Sequence, residues 1–187
     1  MTFLNMDELE AGLEYVRKSP KDDGELQLIV RRPATASREV LEQGRLDPMY
    51  GLLGDNWQTR GSSRTPDGSA HRDMQLTIMN ARLVALVARE KPRWELAGDQ
   101  LYIDMDLSAD NLPAGTHLVL GSATIEVTPQ PHTGCAKFVT RFGVDAMKFV
   151  NSPRGRQLRL RGMYAKVVEP GVIHVGDRLR KIECRTM

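Results

Sequence analysis

The apolar residues of the chain follow two different periods, which predict two kinds of element. Leu9, Leu13 and Val16 recur at helical spacing. They follow a capping box formed by Asn5 and Glu8, so we expect a first amphipathic helix. Further along, short runs alternate between apolar and polar positions and predict β-strands. These runs are 25–30, 74–79, 101–107, 117–120, 123–128, 163–168, 172–175 and 178–182.

Turn-forming residues separate these strands and indicate how neighbours pair. Gly121-Ser122 predicts a hairpin between the strands on either side of it. Pro170-Gly171 predicts a type II turn, and Gly176-Asp177 another tight turn. Strands that are short, numerous and separated by turns predict a mainly β fold. We expect a closed or partly open β-barrel with a few peripheral helices.

Two further helices and the domain organisation also follow from the pattern. Asn80 is a candidate N-cap for a helix that ends before Pro92, and Ser37 is a candidate cap for a short helix through Leu41. We expect residues 1–24 to form an N-terminal helical extension and residues 25–187 to form a single barrel domain.

Composition narrows the class of protein. Charged residues make up 27% of the 187 residues but the net charge is only +2, which does not indicate a nucleic acid or an acidic membrane surface as partner. The absence of a long apolar run and of a signal peptide predicts a soluble, cytoplasmic protein. Cys135 and Cys184 are therefore expected to be reduced thiols.

The loop that follows the strand 123–128 carries the strongest candidate chemistry. Pro129 and Pro131 end the strand and lead to His132, Thr133, Gly134 and Cys135. A lone cysteine commonly packs as a small apolar group, but Lys137 and a protonated His132 would favour the reactive thiolate. Thr133 and the backbone N–H groups of Gly134 and Cys135 are candidate donors to an oxo group or a phosphate.

Basic residues elsewhere are candidate phosphate ligands. The segment 51–73 is rich in glycine, serine and charge, and long loops of this kind are functional or mobile. Arginine binds phosphate in a planar, bidentate manner, although any single surface arginine is more often only solvated. The candidates are Arg31, Arg60, His71, Arg72 and Arg154.

Three other sites are weaker. Asp104 and Asp106 share the solvent face of a strand and have no third oxygen ligand at a matching interval. A zinc site built from His132, Cys135 and either His174 or Cys184 lacks a second ligand pair at structural zinc spacing. Hydrolysis by Cys135 with His132 lacks an evident acid to orient the histidine.

Several separated segments resemble the molybdenum cofactor sulfurase C-terminal (MOSC) domain. The similarity covers roughly residues 25 to 183, and it lies in the order and spacing of the segments around one cysteine. The segments are Leu53-Gly54-Asp55, His71-Arg72, Gly98-Asp99-Gln100-Leu101, Gly121 through Cys135, and Arg161-Gly162-Met163-Tyr164-Ala165.

The resemblance implies a β-barrel that binds the molybdenum cofactor (molybdopterin), with Cys135 as the molybdenum ligand or as a carrier of sulfur. It implies a molybdenum-dependent oxidoreductase with a small-molecule substrate and an external electron donor, or a sulfur transferase with a sulfur donor or acceptor protein as partner. The chain lacks the aminotransferase-like domain of the sulfurases, so pyridoxal phosphate is not expected in this chain alone.

Overall fold

Seven strands close into a ring in the computed structural model, which describes residues 2–182. Their order around the barrel is β11-β7-β8-β9-β5-β6-β1, and β1 pairs with β11 to close it. β2 extends this sheet beside β1, while β10, β3 and β4 form a second, three-stranded sheet. The predicted barrel is therefore confirmed, and it is closed. The strands are β1 (Gly24–Arg31), β2 (Glu39–Leu41), β3 (Gln43–Asp47), β4 (Gly51–Leu52), β5 (Leu76–Asn80), β6 (Leu101–Asp104), β7 (His117–Leu120), β8 (Ala123–Val127), β9 (Met163–Glu169), β10 (Gly171–His174) and β11 (Arg178–Lys181).

Helices cover the outside of the barrel. The first helix has the predicted capping box, in which Asn5 accepts from the N–H of Glu8 and the Glu8 carboxylate accepts from the N–H of Asn5. None of the described helices is long and apolar enough to cross a membrane. The helices are α1 (Met6–Arg17), α2 (Trp57–Arg60), α3 (Ala81–Ala88), α4 (Ala136–Phe142), α5 (Val144–Asn151) and α6 (Pro153–Gln157), with 3-10 turns at Arg72–Met74 and Lys91–Ala97.

Two apolar cores lie on the two sides of the barrel wall. The inner core fills the barrel, and the outer core joins the wall to α1, α3, α4 and α5. A register shift between Leu26 and Leu28 divides β1 between them: Leu26 and Ile29 belong to the inner core, Leu28 and Val30 to the outer one. Because α1 contributes Leu9 to the outer core, it packs with the other helices. The division into an N-terminal extension, residues 1–24, and a barrel domain from residue 25 stays a prediction.

The segment after β1 corrects one prediction. Residues 37–41 do not form a helix: Val40 pairs with Val30 and Glu39 with Arg31, which makes this segment an edge strand. Val40 is β-branched, and such residues favour the extended backbone. The alternation of apolar and polar residues also fails to predict β3, because Gly44 interrupts the alternation. Gly44 pairs with Ile173 of β10 in the second sheet.

Asn80 links the barrel to the helical layer and gives a first testable prediction. Its side chain accepts from the N–H of Leu83 and donates to Ser19 Oγ and the Met105 carbonyl, all at 2.7–2.9 Å. Replacing Asn80 by alanine removes the cap of α3 and leaves buried groups unpaired, so we expect unfolding to become easier by about 2 kcal/mol in denaturant titration. Asn5→Ala is the matched control, since that exposed cap has no such tertiary bonds and its loss should cost about 1 kcal/mol. Equal costs would contradict the tertiary role of Asn80.

Candidate functional site

A cavity of about 250 Å³ lies at the end of the barrel where β1 and β8 end and β6 and β9 begin. Its walls come from the 34–38 loop, the 56–62 segment, α4 and the starts of β6 and β9. Most of its polar side chains are basic: arginine, lysine or histidine. These side chains are Arg32, Arg38, Arg60, His71, His132, Lys137, Arg141 and Arg161, and Cys135 lies beside them.

Cys135 occupies the N-cap position of α4 and is exposed at the cavity. Asn151, the last residue of α5, holds the preceding loop through both backbone groups of Gly134: its Oδ1 accepts from Gly134 N–H at 2.8 Å and its Nδ2 donates to the Gly134 carbonyl at 3.1 Å. The N–H of Gly134 is therefore occupied, which corrects the prediction that it binds an oxo group or phosphate. Thr133 is exposed and is not among the residues that line the cavity.

One buried ion pair beside the cavity joins Arg32 to Asp55. The guanidinium donates to both carboxylate oxygens at 2.8 and 2.9 Å, and Asp55 also accepts from the backbone N–H of Arg32 and Trp57. The Asp55 side chain is fully buried. One remaining nitrogen of Arg32 donates to the carbonyl of Gly98 at 3.0 Å. Asp55 thus fixes Arg32 and the start of α2 at once.

Another buried pair joins Arg161 to Asp99. Arg161 donates to Asp99 Oδ2 at 2.7 Å and to the Ala97 carbonyl at 3.1 Å, and its guanidinium lies over the ring of Phe138. Its Nε is buried without a hydrogen-bond partner among the described residues. Burial raises the pKa of Asp99, while Arg161 beside it acts in the opposite direction. Arg161 is therefore rigid and still has a donor to offer.

His132 is packed between these charges. Its ring lies 4.5 Å from that of Tyr164, centroid to centroid, and its Nδ1 lies 3.6 Å from Asp99 Oδ1. Burial, followed by the positive charges of Arg161, Arg32 and Arg64, holds the pKa of His132 well below its ordinary value. The imidazole is therefore neutral at pH 7. This corrects the expectation that a protonated His132 activates the cysteine.

Four cations of the cavity have no carboxylate partner within residues 2–182. Arg38 donates only to its neighbouring Ser37 carbonyl, and Arg141 donates only to the Leu96 carbonyl. Burial and then repulsion by Arg141 and Arg32 lower the pKa of Arg38, as expected for neighbouring positive charges. Arg60 and Lys137 form no ion pair in this part of the chain either, so the cavity carries an excess of positive charge that suits an anion.

The structure brings together five of the predicted site residues: Cys135, His132, Lys137, Arg60 and His71 all line the cavity. It does not bring in the others. Arg31 pairs with Glu39, Arg72 borders a separate surface depression, and Arg154 pairs with Glu10 on the surface. These positions do not support the prediction that they hold a phosphate.

Four lining arginines are not among the predicted ligands: Arg32, Arg38, Arg141 and Arg161. Arg32 follows Arg31 directly, and only the end of β1 decides which of the two enters the cavity. Arg161 lies within one of the segments that resemble the MOSC domain, and that similarity is the sequence feature that could have identified it.

The weaker alternatives take different positions. His174 lies in β10, near Gln43 and Asp177, and is not among the residues that line the cavity. Cys184 lies outside the described residues. Within residues 2–182 no group of three or more His, Cys, Asp or Glu side chains is arranged to hold a metal ion. Asp104 forms a bidentate pair with Arg82.

Comparisons with known proteins agree with this architecture. The family model of the MOSC domain matches residues 65–180. A comparison with curated protein sequences gave no match. Several solved structures share the fold. Because their sequence identities to this chain are low, the similarity shows the fold alone. A crystal structure of a hypothetical protein is 23% identical with a TM-score of 0.56, covering 85% of this chain and 69% of that one. YiiM from Escherichia coli is 20% identical with a TM-score of 0.55, covering 85% and 70%. The YuaD protein from Bacillus subtilis is 15% identical with a TM-score of 0.55, covering 86% and 97%.

The matched segment contains just over half of the residues that line the cavity, among them His71, His132, Cys135 and Arg161, and it also contains the buried Asp99. It spans more than half of the chain, from the loop before β5 to β11. The chain therefore belongs to the MOSC domain family, which is associated with molybdenum cofactor binding.

Proposed function

We propose that this protein binds the molybdenum cofactor in the cavity and that the thiolate of Cys135 ligates the metal. The observation that carries the proposal is the shared cavity: an exposed thiol stands beside a wall of cations that have no carboxylate partner in the described chain. A soft thiolate suits a thiophilic metal, and guanidinium groups suit a phosphate.

The residues present fit such a group. Buried donors need partners, and here the Nε atoms of both Arg38 and Arg161 have none among the described residues. An anion with several oxygen atoms would satisfy them. Arg38, Arg60 and Arg141 are the cations we assign to the phosphate, while the paired Arg32 and Arg161 are held in place by their carboxylates.

The reaction that we propose is a reduction or an oxygen-atom transfer on a small molecule, for which N-hydroxylated compounds are candidate substrates. When bound, the cofactor supplies the two-electron redox chemistry. The protein's own residues bind the phosphate, present the thiolate and restrict access to the cavity. No flavin or iron–sulfur motif is visible in the sequence, so the reductase would take electrons from an external donor.

Molybdenum analysis tests the proposal. In protein produced in a host that makes the cofactor, we expect about one molybdenum and one pterin per chain, and we expect Cys135→Ser to lose at least about ten-fold of the metal because the soft ligand is gone. Cys184→Ser is the matched control for loss of a thiol.

Arg141→Gln should reduce the bound pterin, whereas Arg154→Gln, which removes a surface charge paired with Glu10, should not. Wild-type protein without molybdenum or pterin would overturn the proposal.

The exposure of Cys135 favours a second candidate, a sulfur carrier that holds a persulfide on this residue. An exposed thiol is accessible to a sulfur donor or acceptor protein, which a buried metal ligand would not be. Metal-free protein that gains one sulfur atom on Cys135, seen by mass spectrometry and absent in Cys135→Ser, would support this candidate over the first.

A further inference from the structure

Two buried atoms face each other beside the cavity without a hydrogen bond. Asp99 Oδ1 and His132 Nδ1 are 3.6 Å apart, and neither has a partner among the described residues. Both side chains are more than nine-tenths buried. Buried polar atoms in proteins are almost always paired, so two adjacent exceptions point to a proton or a ligand that completes the arrangement.

The imidazole cannot easily turn away from Asp99. The Tyr164 ring packs against it at 4.5 Å. On another side lies the backbone of Gly162, where a Cβ atom would stand only 3.3 Å from His132 Nδ1. The orientation of His132 is thus set by its neighbours, with one edge towards Asp99.

The charges around His132 come from several elements. Within residues 2–182, Asp99 is the one carboxylate paired with His132; it lies on the segment before β6 and is already paired with Arg161. The other charged or titratable groups that influence the imidazole are Arg161 just before β9, Tyr164 within β9, Arg32 just after β1, and Arg64 in the 61–70 loop. Burial, and then this excess of positive charge, lowers the pKa of His132 and keeps the imidazole neutral. An anion in the cavity would cancel that charge and favour the imidazolium.

We propose that the cavity binds its anionic ligand together with one proton, which is taken from solvent and held by His132 between Asp99 and the anion. The imidazolium has two N–H donors. Nδ1–H would donate to Asp99 Oδ1, closing the 3.6 Å gap, and Nε2–H would remain as the donor for the anion, since His132 lines the cavity. The inference rests on the proposed function only in that the cavity binds an anion. For a reductase, whose reaction consumes protons, it places a proton store beside the ligand.

Sulfate is the probe for the test, because it is a dianion that does not titrate near pH 7. Calorimetric titrations at low ionic strength, in buffers of different ionisation enthalpy, measure the protons taken up for each sulfate bound. We expect an uptake approaching one proton at pH 7. We also expect the affinity to weaken by up to about ten-fold per pH unit between pH 6.5 and 7.5, as linkage requires for one coupled proton.

The variants separate His132 from the other histidine of the cavity. His132→Gln should still bind sulfate with little proton uptake and a flat pH dependence. His71→Gln is the matched control, since His71 also lines the cavity, and it should retain the uptake of the wild type. Uptake that persists in His132→Gln, or that disappears only in His71→Gln, would overturn the proposal, as would the absence of sulfate binding.

Nitrogen NMR of the unmodified protein gives an independent measurement that does not depend on a variant that folds. The chain has four histidines, so their ring ¹⁵N signals are separable. We expect His132 to be neutral without sulfate and protonated with it at pH 7; a ring that stays neutral would contradict the proposal. Molybdenum-free protein that passes this test would overturn the proposed function and leave the inference intact.

Discussion

Replacing Asp55 by alanine is expected to destabilise the protein by about 3–5 kcal/mol, because it leaves the buried guanidinium of Arg32 without its partner. Asp55 accepts four hydrogen bonds, three from Arg32 and one from the N–H of Trp57. Its side chain is fully buried and that of Arg32 is only 7% exposed, so water is a poor replacement for the lost carboxylate. Urea titration followed by circular dichroism would measure the loss.

A double-mutant cycle separates the unpaired charge from the packing. We expect the variant Arg32→Met, Asp55→Ala to be more stable than Asp55→Ala alone, because removing both partners of a buried pair also removes the uncompensated charge. Asp104→Ala is the control: its pair with Arg82 has the same bidentate form but is about one-fifth exposed, and we expect a cost of about 1 kcal/mol. A double variant less stable than Asp55→Ala would show that hydrogen bonds to the loop, and not charge, dominate.

The fold was predictable where one residue type determines the local structure. Asn5 and Asn80 begin helices because their side chains cap the N-terminus, and Gly121-Ser122 joins a hairpin because the turn needs a glycine there; Gly121 has φ +58°. The prediction of a helix at the edge strand β2 is wrong because Val40 gains its strand partner, Val30, only in the tertiary structure.

Of the candidate site, the sequence predicted the segment around Cys135 but few of the surrounding charged residues. Cys135 and His132 lie in one short segment, and the family resemblance connected that segment with His71 and Arg161. Asp99 lies in one of the segments that carry the family resemblance, but no sequence pattern indicates that its free carboxylate oxygen faces His132. The low pKa of His132 depends on its burial and then on arginines from three other segments, so its proximity to Cys135 in sequence wrongly indicated a protonated imidazole.

Gly162→Ala is expected to destabilise the protein by at least about 3 kcal/mol, the sum of a strained backbone and a steric overlap. Gly162 has φ +108°, a conformation that residues with a Cβ rarely adopt. A Cβ at this position would lie 2.3 Å from the carbonyl oxygen of Ile78, in the centre of β5. That oxygen belongs to the barrel backbone, so it cannot move aside as the end of a side chain could.

Gly115→Ala isolates the backbone term, because Gly115 has φ +88° but no atom lies within 4 Å of the position that a Cβ would take there. We expect this control to cost only about 1–2 kcal/mol, so the difference between the two variants measures the overlap with Ile78. The same overlap would reach the site, since the added methyl group lies 3.3 Å from His132 Nδ1. If Gly162→Ala is no less stable than Gly115→Ala, then β5 and β9 can separate at this point. In that case the rigidity that holds His132 against Asp99 must come from Tyr164 and not from the glycine.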